Sequence, residues 1–121
     1  MAGYEGQERR RDPRVARRLT LTIADAREPV TTETKNVSRS GILCEVDRPI
    51  PLMEKVQISL ELPGRFGASR RITCDGVVVR QERLPSNNGR PARYELAIFF
   101  TRMSPQHRRY LEEYVSDALA Q

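Results

Sequence analysis

Residues 55–62, KVQISLEL, alternate without a break: Val56, Ile58, Leu60 and Leu62 fall on one side of an extended chain, and Lys55, Gln57, Ser59 and Glu61 fall on the other. A period of two gathers the apolar side chains on a single face, so the stretch reads as a half-buried β-strand rather than a helix. The same row recurs outward in both directions. Leu19, Leu21 and Ile23 alternate with Thr20 and Thr22; Ile42, Cys44 and Val46 form another row. Further on come Ile72, Cys74, Gly76 and Val78, and then Tyr94, Leu96, Ile98 and Phe100. Residues 30–37, VTTETKNV, are rich in threonine and read as a polar edge strand. Between the rows lie turn formers: DRPIPL at 47–52, PGRFG at 63–67 and PSNNGRP at 85–91. Six short strands uninterrupted by helix predict an all-β dominated domain, an antiparallel barrel or sandwich.

The end of the chain changes period. Ser104 followed by Pro105 is a helix start, since the serine hydroxyl accepts from free amides and proline suits the first helical position. Leu111, Tyr114, Val115, Ala118 and Leu119 then recur at helical spacing, which predicts one apolar stripe over residues 105–119 that packs against the strands. The domain layout that follows is a frayed, aperiodic start at residues 1–8, a basic arm at 9–18, the strands at 19–100 and the helix at 104–120. A length of 121 residues is that of a single domain. No apolar run reaches the roughly 20 residues of a membrane helix, and residues 1–20 lack the apolar stretch of a secretion signal, so the expected compartment is the cytoplasm.

Charge is concentrated rather than spread. The net charge is +5, and the arm Arg9–Arg18, RRRDPRVARR, carries that whole excess with its six arginines and one aspartate, leaving the remainder balanced at 15 basic and 15 acidic residues. A cluster of that kind on a neutral body is the footprint of an anion-binding site. With six like charges and little to bury, the arm is expected to be mobile until a ligand orders it.

Enzymatic chemistry finds little to work with. A single His107 and two separated cysteines, Cys44 and Cys74, yield neither a nucleophile with its base nor a zinc set nor a disulfide framework; both cysteines read as core. Glu112 and Glu113 fall on the polar side of the predicted helix, and no glycine-rich phosphate loop with a following lysine occurs.

Two short motifs remain. Arg10 and Arg14 form R-x-x-x-R, a spacing that 19 arginines produce about three times by chance. Residues 36–41, Asn36-Val37-Ser38-Arg39-Ser40-Gly41, fit [D/N]-x-S-x-x-G, for which the composition predicts only about 0.03 occurrences. Taken alone the latter is also a good hairpin turn between two strands.

The two motifs in this order, some 22 residues apart, together with CDGVVVRQ at 74–81, YELAIFF at 94–100 and the terminal helix, resemble the PilZ domain family over nearly the whole chain. The resemblance implies a stand-alone six-stranded antiparallel barrel with a C-terminal helix, and a non-catalytic receptor for the bacterial second messenger cyclic di-GMP, with no cofactor. It also implies the site: Arg10 and Arg14 hold guanine and phosphate from the arm, while Asn36, Ser38 and Gly41 form the facing barrel surface. Arginine suits both parts of such a ligand, because its planar fork donates two parallel hydrogen bonds to a guanine Hoogsteen edge or a phosphate and its face stacks on bases. Ser38 is expected to donate to phosphate or base, and Gly41 to supply a special backbone angle and close approach. Many members carry Asp where this chain has Asn36; one acceptor oxygen in place of two implies weaker binding. Arg9, just before the arginine pair, implies two stacked ligands per site. A downstream effector protein would read the ordered arm. The rival readings are a small nucleic-acid binder with a basic arm, disfavoured by an aromatic content of 6% without Trp and by Tyr94, Phe99 and Phe100 reading as strand core, and a PilZ-like interaction module that binds no nucleotide.

Overall fold

The computed structural model describes residues 12–86 and 89–121. The expectations for residues 1–8, and for Arg9 and Arg10, lie outside the described residues. Six strands form: β1 (Thr20–Ala24), β2 (Val30–Val37), β3 (Gly41–Val46), β4 (Lys55–Pro63), β5 (Ser69–Leu84) and β6 (Arg93–Met103), followed by helix α1 (Pro105–Leu119). They close into a barrel in the order β1-β2-β3-β6-β5-β4, every neighbouring pair antiparallel.

Alternation fills the interior. Leu21, Ile23, Ile42, Ile58, Leu60, Ile72, Leu96 and Ile98 are each no more than 2% exposed, and burying each such side chain contributes about 1.5–3 kcal/mol. Gly76 takes an inward position because Ile98 needs the room: a Cβ there would lie 2.9 Å from Ile98 Cγ2. The free thiols of Cys44 and Cys74 belong to the same core, and burial pushes both up to about 12. Cys44 and Cys74 are therefore inert apolar fillers rather than nucleophiles.

Three sequence expectations are corrected. First, β2 is no edge strand; it pairs with β1 on one side and β3 on the other, since a closed barrel leaves no edges. Its polar composition is accommodated by bonding: Thr32 Oγ1 donates to the Glu45 carbonyl at 2.7 Å, and the buried Thr34 is satisfied from both sides. Second, Phe99 is not core. It is 49% exposed between the inward Ile98 and Phe100, as a period of two requires. Third, Leu119 at the end of the helical stripe is 47% exposed.

The helix start is built as its sequence implies. Ser104 has extended backbone and its Oγ accepts from the His107 N–H at 3.1 Å, with Pro105 opening the first turn. Leu111 and Val115 are buried with the barrel core, flanked by Tyr110, Tyr114 and Ala118. His107 Nδ1 accepts from the Thr73 N–H at 3.1 Å, and the Arg70 guanidinium lies 4.2 Å over the Tyr110 ring, fastening α1 to β5. Among the described residues no helix is long and apolar enough to cross a membrane.

Candidate functional site

The site begins where the arm joins the barrel. Thr34 Oγ1 accepts from the Leu19 N–H at 2.9 Å and donates to the Arg17 carbonyl at 2.6 Å, so one buried hydroxyl clasps two backbone groups of the incoming chain. Val15 and Val37 then exchange backbone hydrogen bonds at 2.8 and 3.0 Å. Val15 is 5% exposed and joins the core. The second half of the arm, expected to have little to bury, is thus tied to β2, because a lone valine among arginines finds an apolar partner.

This anchoring places Arg14 beside the outer face of β2. A register shift between Thr34 and Asn36 lets Thr34 and Val37 both face inward and leaves Asn36 half-buried on the outside. Arg14 Nη1 donates to Asn36 Oδ1 at 2.9 Å, across 22 residues of sequence. One residue from each motif, Arg14 and Asn36, therefore meets the other on one barrel face.

Between Val37 and Gly41 the chain turns through a side-chain closure. Ser38 is fully buried; its Oγ accepts from the N–H groups of Ser40 and Gly41, each at 3.2 Å, while its own N–H donates to the Gly41 carbonyl at 2.9 Å. Expected as a hydroxyl open to ligand, Ser38 here shapes the corner instead, and the half-buried Ser40 carries the hydroxyl beside the arm. Gly41 is needed for close approach and not for an unusual angle. A Cβ there would collide with the Ile98 carbonyl oxygen, whereas the left-handed described glycines are Gly67 and Gly89.

Further charged groups converge that the motif spacing did not single out. Arg39 Nε donates to Asp12 Oδ1 at 2.7 Å, and its guanidinium lies 3.9 Å from Glu112 of α1. Arg108 of α1 donates to the Arg39 carbonyl. The hydrogen bond from Ser40, helped by Arg39 and opposed by partial burial, holds the Asp12 carboxyl below its ordinary value. Arm, corner and helix are joined at this point. Asp12 and Arg39 each occupy a variable position of a motif, R-x-x-x-R and N-x-S-x-x-G respectively, but their meeting with each other and with Arg108 comes through folding alone.

Chemically the face is a set of guanidinium and hydroxyl donors beside one amide, suited to an anion with hydrogen-bonding edges. Among the described residues no group of three or more His, Cys, Asp or Glu could hold a metal ion.

The PilZ domain profile matches residues 8–117. The chain belongs to the PilZ domain family. That family consists of cyclic di-GMP receptors and adaptors rather than enzymes. No curated protein sequence matches the chain. Its fold is similar to that of the Bacillus subtilis inhibitor of motility, MotI/DgrA, with a TM-score of 0.74 at 19% identity over 93% of this chain and 51% of that one. It is similar also to the PilZ domain of YcgR from Escherichia coli with c-di-GMP, with a TM-score of 0.67 at 16% identity over 93% and 92% of the two chains. The K. pneumonia MrkH–c-di-GMP complex gives a TM-score of 0.67 at 19% identity over 93% of this chain and 53% of that one. This PilZ chain thus spans about half the length of MotI/DgrA and MrkH and nearly all of the YcgR domain.

Proposed function

We propose that this PilZ domain is a cytoplasmic receptor and adaptor that clamps cyclic di-GMP between Arg10 and Arg14 of the arm and the Asn36, Ser38 and Gly41 corner of the barrel. The observation that carries the reading is the 2.9 Å hydrogen bond from Arg14 to Asn36, which joins one residue from each of two sequence-distant motifs. A bis-guanylate supplies the matching chemistry: two phosphates for guanidinium forks and two guanine edges with acceptors at O6 and N7. Arg9 favours a stacked pair of ligands. Clamping draws the arm's guanidinium side chains from the barrel onto the ligand and changes the surface a downstream effector protein reads, with selectivity for the bound state supplying the signal.

Calorimetric titration of the purified chain with cyclic di-GMP, with GTP and cyclic di-AMP as controls, tests the reading. Micromolar or tighter binding of cyclic di-GMP alone, saturating at two ligands per chain, is the expected result. Absence of heat from the folded, nucleotide-free protein refutes the receptor assignment, and saturation at one ligand refutes the stacked pair.

A further inference from the structure

We infer that Arg39 and Ser40 form a phosphate subsite that the protein's own Asp12 carboxylate fills, so that the incoming dinucleotide displaces Asp12 and takes over its donors. The inference deepens the receptor reading and rests on it.

The donor set is what an anion requires. The Asp12 carboxylate accepts from Arg39 Nε at 2.7 Å with Ser40 favouring its charged form, and a phosphate oxygen accepts from a guanidinium in the same way. The subsite adjoins the corner already described: Ser40 and Gly41 are consecutive, and Asp12 stands two residues before Arg14. Its partners are open to exchange, since the side chains of Asp12 and Arg39 are 32% and 55% exposed. The donor survives the departure of Asp12 as well. Arg39 keeps Glu112 at 3.9 Å, and its backbone carbonyl is held by Arg108. A carboxylate carried on the same arm as Arg14 is a tethered competitor, present at high effective concentration until the ligand outbids it.

Competition of this kind reverses the usual effect of deleting a charged residue at a binding site. Asp12→Asn keeps the size of the side chain but weakens its hold on Arg39, so binding of cyclic di-GMP should tighten about two- to fivefold, the range expected when a partly exposed ion pair no longer has to be broken. Arg39→Ala should weaken binding, and in that background Asp12→Asn should bring no gain, because the contested donor is gone.

The experiment is a calorimetric titration of the full chain with cyclic di-GMP for the wild type, Asp12→Asn, Arg39→Ala and the double variant, with a thermal melt of each. Carbon NMR of the wild-type Asp12 carboxyl supplies a readout that needs no variant, and its resonance should shift as the ligand saturates. Tighter binding by Asp12→Asn that vanishes in the Arg39→Ala background supports the exchange. Equal or weaker binding by a folded Asp12→Asn, or an Asp12 resonance that stays in place at saturation, overturns it while leaving the receptor reading intact. A wild type that takes up no cyclic di-GMP refutes the receptor reading itself and the exchange with it.

Discussion

Replacing Arg14 with alanine separates what this residue does for the fold from what it does for a ligand. In the free protein its side chain is exposed and, among the described residues, makes one hydrogen bond, 2.9 Å to Asn36 Oδ1. An exposed bond of that sort is worth about 0.5 kcal/mol, which for a domain of this size moves the melting temperature by roughly 1–4 °C. The anchoring of the arm survives, because it rests on the Val15–Val37 backbone pair and the Thr34 clasp, neither of which uses the guanidinium. On the proposed reading the same fork makes charge-assisted bonds to phosphate or guanine, and losing such a contact costs about 1.5–3 kcal/mol, or roughly ten- to a hundred-and-fifty-fold in affinity. Arg14→Ala is therefore expected to melt within a few degrees of wild type and to bind cyclic di-GMP at least tenfold more weakly, read by differential scanning calorimetry and isothermal titration on one preparation. Arg14→Lys should recover little, since an ammonium lacks the planar fork. Affinity within twofold of wild type for Arg14→Ala would refute the site, and a fall of more than 10 °C in melting temperature would refute the division between folding and binding.

Other outcomes follow from single contacts. Gly41→Ala forces a methyl against the Ile98 carbonyl and spreads β3 from β6, so it should destabilise by about 1–3 kcal/mol; an unchanged chemical melt would contradict the close approach. Asn36→Asp replaces one neutral acceptor with a carboxylate's two and should tighten cyclic di-GMP binding about two- to tenfold by titration, with no change or a loss counting against Asn36 as a ligand contact. Asp25, whose side chain has no exposed surface, is hydrogen-bonded by Arg48 at 3.1 and 3.2 Å and by the Arg27 N–H at 2.9 Å, and chiefly the Arg48 contact holds its carboxyl down to about 2. Because the folded value lies below the unfolded one, the stabilisation is present above about pH 4 and is lost as pH falls toward 2. On the order of 1–2 kcal/mol, after allowing for solvent screening, should disappear over that window, and an acid titration of stability with the same slope in Arg48→Ala would contradict the assignment.

The barrel was legible wherever one face is apolar and the other polar. Residues 55–62 in β4 and 42–46 in β3 fall where the alternation puts them, and the helix starts at the serine-proline pair that caps it. Legibility failed at β2, whose inward face holds a threonine and switches parity at the shift between Thr34 and Asn36; a pattern of two cannot register a strand that turns over midway. Phe99 could have been placed outside from the pattern alone, since Ile98 and Phe100 already claim the interior. At the candidate site, the spacing singled out Arg14 and Asn36, which the fold brings together, whereas the different fates of Ser38 and Ser40 depend on which hydroxyl closes the turn. Two serines separated by one residue carry no periodic signal of that choice. The meeting of Asp12, Arg39 and Arg108 is a product of tertiary structure and leaves no trace in local pattern.

The hydroxyl of Thr34 and the valine pair beside it fix the point from which the arm leaves the barrel. Arg14, one residue before that point, rides on a short stem and not on a loose tail. Much of its backbone freedom is surrendered when the protein folds, so a ligand that recruits it has mainly side-chain rotamers left to immobilise. A buried threonine hydroxyl thereby helps set the entropic cost of recruiting Arg14 to any ligand.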